Sequence, residues 1–145
     1  MDSRQNHSPA FPELYRCWMR IRNKMNILEN VPRDFGADKP LFLSEIHAIQ
    51  AIGTTKENNV RIIAEVLGVT PSAASQTITR LMRRGLVKKI RGVKNEKEVT
   101  LELTESGRIA YDCHEKIHDQ MYERIAGKVG DLSETDRATL ARIFS

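Results

Sequence analysis

The residues of this chain best placed to do chemistry are His114-Glu115-Lys116-Ile117-His118. On a helix, positions i and i+4 lie one turn apart on one face, so both imidazoles can reach a single ion. A glutamate between two such histidines is the arrangement of zinc peptidases. A peptidase also needs a third ligand, Glu115 as general base and a cleft for a peptide. No histidine follows His118, and the expectation is that the chain is not an enzyme. A regulatory metal site suits the residues better. The chain has four histidines; His7 sits in a polar opening stretch, and the fourth is His47. The plainer alternative is that two histidines a turn apart are polar surface and His47 an ordinary helix residue.

Composition narrows the classes. At 145 residues one domain is expected, and a net charge of +4 suits a polyanionic partner. The two cysteines, Cys17 and Cys113, are too few for a disulfide framework and fit a reducing compartment. No apolar run approaches the roughly 20 residues that span a bilayer, and no signal-peptide pattern opens the chain. A soluble, cytoplasmic protein with no membrane partner is expected.

The elements that must carry these residues follow from periodicity. From Phe11 to Glu29 the apolar residues Leu14, Tyr15, Trp18, Ile21, Met25 and Leu28 recur at spacings of one to four, marking a long amphipathic helix. Pro32, Gly36 and Pro40 make 30–42 a loop. Ser44 is a candidate cap for a second helix through Ile46, Ile49 and Ile52, and Asn58 or Asn59 opens a third. Leu67-Gly68-Val69 ends that helix, with Gly68 suited to a left-handed turn. Thr70 caps the next helix and Pro71 takes its first position. Ala74, Ile78 and Leu81 form its inward stripe. Thr104 caps another long helix, on which Ala110, Ile117, Met121 and Ile125 run near heptad spacing until Gly127 and Gly130. Ser133 and Asp136 begin a last helix with Leu140, Ile143 and Phe144 as its apolar face.

The helix after Thr70 presents Ser72, Ala73, Ser75, Gln76, Thr79, Arg80 and Arg83 on its other side. A solvated polar face is the bland explanation, but the next segment favours another. Val87–Arg91 and Val99–Leu103 alternate apolar and polar residues, with Gly92 and Asn95 supplying turn chemistry between them. A hairpin following a helix-turn-helix is a winged helix. From Arg80 through Lys97 the chain carries eight Lys or Arg and one acid, Glu96. That run continues from the helix into the hairpin, as a phosphate backbone would require. Ser72, Ala73, Ser75, Gln76 and Thr79 are therefore expected in the major groove. Arg80, Arg83, Arg84, Lys88, Arg91, Lys94 and Lys97 are expected on phosphates or in the minor groove.

The run Ile62 to Thr70, the helix from Ser72 to Arg84, Gly85-Leu86-Val87 and Leu103-Thr104-Glu105-Ser106-Gly107 resemble the MarR family of bacterial transcriptional regulators. The family's wing usually carries Asp-x-Arg, where this chain has Asn95-Glu96-Lys97. Lys94 or Lys97 would then replace the arginine as a simpler point charge. The resemblance implies a mainly α fold with a small β-wing: a single MarR-like domain over 1–145, its winged-helix lobe at about 43–103. Dimerisation helices would occupy about 11–30 and 104–145. It implies a homodimer on a pseudo-palindromic double-stranded DNA operator, acting as a repressor.

In the zinc-responsive branch of that family, the metal is held by a Glu late in the first helix, a His on the second and two His on the fifth. Laid on this chain, those positions are similar to Glu29, His47, His114 and His118, with zinc as the implied cofactor. At the second metal site of that branch stand Phe35, Ile46 and Cys113, which do not reproduce it. Other MarR-like proteins answer to small aromatic acids or to oxidation of a first-helix cysteine, where Cys17 lies here. A winged helix serving as a protein-interaction module is the remaining alternative.

Overall fold

The computed structural model describes residues 10–56, 58–91 and 99–144. Its elements in order are α1 (Ala10–Glu29), α2 (Leu43–Thr54), α3 (Val60–Leu67), α4 (Pro71–Arg83), β1 (Val87–Arg91), β2 (Val99–Leu103), α5 (Glu105–Val129) and α6 (Glu134–Phe144). Local chemistry sets most of the boundaries. Asn59 caps α3 by accepting the Ile62 N–H at 3.0 Å, and Thr70 caps α4 by accepting from Ala73 at 3.2 Å. Between them Gly68 turns the chain at φ 64, a conformation glycine adopts without steric cost. Thr104 caps α5 through Gly107 at 3.1 Å. Before α6, the Ser133 hydroxyl and Asp136 carboxylate exchange bonds with each other's backbone. Helix α5 runs through Gly127 and stops at Gly130.

The start of α2 differs from expectation. Its N-cap is Phe42, and Ser44 lies inside the first turn. The N–H of Phe42 is held by Glu45, whose Oε2 accepts it at 3.1 Å. A carboxylate at the third helical position thus satisfies the N–H of the N-cap residue.

The core lies inside the lobe. Leu41, Ile46, Ile49, Ile63, Ile78, Leu81 and Leu101 are almost wholly buried. Helix α2 sits at the centre of the lobe, against α3, α4, β2 and α5. Strands β1 and β2 pair antiparallel, Val87 opposite Leu103 and Arg91 opposite Val99. Asn58 fastens β2 to the lobe: its Nδ2 donates to the carbonyls of Ile52 at 2.9 Å and Leu101 at 3.2 Å, and its own carbonyl accepts from the Leu101 N–H at 2.7 Å. The crossing of α2 and α5 puts Gly53 against the ring of Tyr111, which a Cβ at this position would force to shift.

Outside the lobe the helices keep apolar surface in view. Leu14, Ile21 and Met25 on α1 are each more than half exposed. Ile117, Met121 and Ile125 on α5, and Leu140 and Ile143 on α6, are exposed by 40% or more. Roughly 25 cal/mol of transfer energy attends each Å² of such surface.

Candidate functional site: a basic helix face and a histidine cluster

Helix α4 separates its two faces cleanly. Ala74, Ile78 and Leu81 are buried, while Ser72, Ala73, Ser75, Gln76, Thr79, Arg80 and Arg83 are exposed. Hydroxyls and an amide thus lead the helix, and guanidinium groups follow a turn later. Arg80 is anchored by donation from Nη2 to Thr77 Oγ1 at 3.0 Å. Lys88 projects from β1, 3.4 Å from Glu102 on the paired strand. Arg91 ends β1; Lys94 and Lys97, with the turn residues Gly92 and Asn95, lie outside the described residues.

Arg84 is placed differently from its neighbours. Its guanidinium points inward, donating to Glu45 Oε2 at 3.0 Å, to the Lys39 carbonyl at 2.7 Å and to the Pro40 carbonyl at 3.1 Å. Glu45 also faces Arg80 Nε at 3.8 Å. Sequence reasoning missed Glu45. The available signal was an acid at an inward position, between Leu43 and Ile46, which must find a cation once buried.

The histidines converge. His47 from α2 and His114 and His118 from α5 each bring a ring nitrogen to within 4.8 Å of the others. The ring centroids of His114 lie 4.2 Å from His118 and 5.4 Å from His47. Phe35 closes the inner side edge-on, 5.6 Å from His114. His114 is buried, and its Nδ1 has no hydrogen-bond partner. An orphaned buried nitrogen is costly unless something supplies a partner. Burial, then the neighbouring charges of His118 and His47, push His114 down to about 4. His47 is lowered as well, chiefly by burial and then by His118, against an upward pull from Glu29. At neutral pH these two rings are therefore neutral and carry free lone pairs. Clustered imidazoles suit zinc, copper or nickel rather than calcium or magnesium.

Glu29 is not part of that tight cluster. It ends α1 and, with His47, lines a cleft of about 420 Å³ that Ala73, Ala74 and Thr77 of α4 also line. Phe35 and Ile46 are core residues. Cys113 packs against the core and is a free thiol, as is exposed Cys17. Glu115, between the two α5 histidines, accepts from the side-chain amide of Gln50 at 2.9 Å. That amide nitrogen also stands 3.2 Å from His118 Nδ1. Gln50 too was not singled out by sequence, because it meets α5 only through the helix crossing.

A helix-turn-helix followed by a paired wing, with polar and basic groups on the exposed face of its second helix, defines a winged-helix DNA-binding protein. Residues 41–99 match the model of the MarR family. Over that segment, from α2 through β1, the chain is similar to the MarR family. It is 26% identical over 117 residues to the HTH-type transcriptional regulator YhjH of Bacillus subtilis (strain 168), covering 81% of this chain and 67% of that protein. Its fold is similar to that of Streptococcus pneumoniae FabT in complex with DNA, with a TM-score of 0.70, 23% identity and 92% of both chains covered. It is also similar to that of the zinc-responsive MarR family member ZitR of Lactococcus lactis, with a TM-score of 0.66, 16% identity, and 91% and 92% of the chains covered. Among the described residues, no helix is long and apolar enough to cross a membrane.

Proposed function

We propose that this chain is a homodimeric, cytoplasmic repressor whose DNA affinity is set by zinc. The observation that carries the metal reading is the meeting of three imidazoles around the buried, unpartnered Nδ1 of His114. His47, His114 and His118 would hold the ion, with Glu29, which lines the same cleft as His47, as the fourth and oxygen ligand. The fold shared with zinc-responsive ZitR adds support. Bound zinc would supply a fixed tie between α1, α2 and α5. These residues would thereby hold the lobe at one angle to the helices outside it. The recognition helix is close by, since Ala73, Ala74 and Thr77 line the same cleft as Glu29 and His47.

The dimer reading is supported by the exposed apolar stripes on α1, α5 and α6, which a second copy would cover. Two copies would set their α4 helices about one DNA turn apart, on a pseudo-palindromic operator. Ser72, Ala73, Ser75, Gln76 and Thr79 would read base edges. Arg80, Arg83, Lys88, Arg91, Lys94 and Lys97 would meet phosphates or the minor groove. Arg84 would act from behind, by holding α4 against α2.

The test is a DNA titration by fluorescence anisotropy, with an operator selected from random sequence, in chelator and in zinc. Zinc should tighten binding by roughly 5–150-fold, the usual range of such couplings, and the gain should vanish in His114→Ala. Equal affinities with and without zinc would remove zinc as the effector. A small molecule in the 420 Å³ cleft is the second reading, favoured by its volume and its mixed lining of Leu43, Leu67 and Val69 with Glu29 and His47.

A further inference from the structure

Gln50 stands three residues after His47 on α2 and reaches across to α5. Its Nε2 meets two groups at once, Glu115 Oε1 at 2.9 Å and His118 Nδ1 at 3.2 Å. A carboxylate only accepts, so the Gln50 atom facing Glu115 must be the nitrogen. An amide nitrogen carries two hydrogens, one for each neighbour. The His118 nitrogen facing it is then a lone pair, and the neutral ring carries its proton on Nε2. Ligating histidines ordinarily show the opposite polarity: the outer nitrogen donates its N–H to an acceptor and leaves the other lone pair for the ion.

On the reading that these histidines hold zinc, we propose that Gln50 and Glu115 form a latch that holds His118 closed to the metal. Ligation through Nε2 requires that nitrogen to lose its proton to solvent while Nδ1 takes one up. The new Nδ1–H must then find an acceptor, and Gln50 can offer its oxygen only by turning its amide and giving up Glu115. Ligation through Nδ1 displaces the Gln50 amide directly. Either route opens the latch, so metal binding works against two hydrogen bonds that join α2 to α5. Glu115 thereby has a role unconnected with peptide hydrolysis. It anchors Gln50, and Gln50 is a positioning residue for His118.

The test reverses the polarity of the latch without changing its shape or net charge. The double substitution Gln50→Glu with Glu115→Gln puts the carboxylate on α2, where it accepts both from the amide on α5 and from a His118 Nδ1–H. In metal-free protein at neutral to mildly alkaline pH, nitrogen-15 spectra should show Nε2–H for His118 in the native chain and Nδ1–H in the double variant, the signal being assigned by its loss in His118→Ala. Zinc affinity, measured by competition with a chromophoric chelator, should rise in the double variant by roughly 10–100-fold, the scale of outer-shell effects on metal sites. Glu115→Ala alone, which frees the Gln50 amide, should also tighten zinc. Equal or weaker zinc binding in both folded variants, or Nδ1–H in the native metal-free chain, overturns the latch. Failure of every form to bind zinc overturns the metal reading itself, and with it the latch; zinc bound equally by the native and variant chains overturns the latch alone.

Discussion

Glu45 and Arg84, 39 residues apart in sequence, meet at 3.0 Å between Oε2 and Nη1. Glu45 is 3% exposed, so the pair joins α2 to the end of α4 from inside the lobe. It separates two adjacent arginines by role. Arg84→Ala would leave the buried carboxylate with the Phe42 N–H and with Arg80 at 3.8 Å, costing roughly 2–3 kcal/mol of stability. Arg83→Ala, at an exposed position, should leave stability within about 0.5 kcal/mol and weaken DNA binding with a shallower salt slope. Urea midpoints beside DNA titrations at several salt concentrations check this. Loss of stability from Arg83→Ala and none from Arg84→Ala would invert the assignment.

Gln76 is exposed at the middle of the polar face of α4, one turn after Ser72. Its amide can pair with the adenine edge by two hydrogen bonds. Gln76→Ala should cost about 1–3 kcal/mol on the selected operator and much less on random DNA. Lys94→Ala should weaken both alike. If Gln76→Ala weakens binding equally on both DNAs, Gln76 does not read bases.

Acid should destabilise the metal-free protein through its histidines. An unfolded chain titrates its histidines near 6.5, whereas folded His114 holds out to about 4. Between those values the unfolded state takes up a proton that the folded state refuses. Stability therefore falls as pH drops from about 6.5 toward 4, and this contribution is absent above that window. His47 acts in the same direction. In chelator, the urea midpoint of His114→Leu should vary less between pH 7.5 and 5 than that of the native chain; parallel profiles would rule out His114 as the source. Zinc affinity should fall over the same range, as protons compete for the imidazoles.

Gly107, in the first turn of α5, sits so close to the Leu86 carbonyl that a Cβ there would collide with backbone. Gly107→Ala should cost roughly 1–3 kcal/mol, read as a lower melting temperature. An unchanged melting temperature would show that the contact between α5 and the start of β1 is not constrained.

What was legible in the sequence was local or periodic. Thr70, Asn59 and Thr104 announce helices because a capping side chain and its N–H partner lie within three residues. The inward stripe Ala74, Ile78, Leu81 follows from helical geometry alone. The convergence of His47 on His114 and His118 was reached through family resemblance, since no spacing rule links residues on two helices. The partners of Glu45, Arg84, Gln50 and Glu115 stayed hidden for that same reason: they are set by how α2 crosses α4 and α5. Ser44 misled because the helix already begins at Leu43, with Phe42 at its cap and the Phe42 N–H held by Glu45. Glu29 lines the same cleft as His47 but lies outside the tight cluster of three imidazoles.

The measurement that tests the account most directly is calorimetric titration of zinc into chelator-treated protein, beside His114→Ala. The account predicts one tight site per chain in the native protein and its loss in the variant, because His114 stands between the other two rings. No binding, or binding that His114→Ala leaves unchanged, would contradict it and leave a winged-helix chain similar to the MarR family with some other effector.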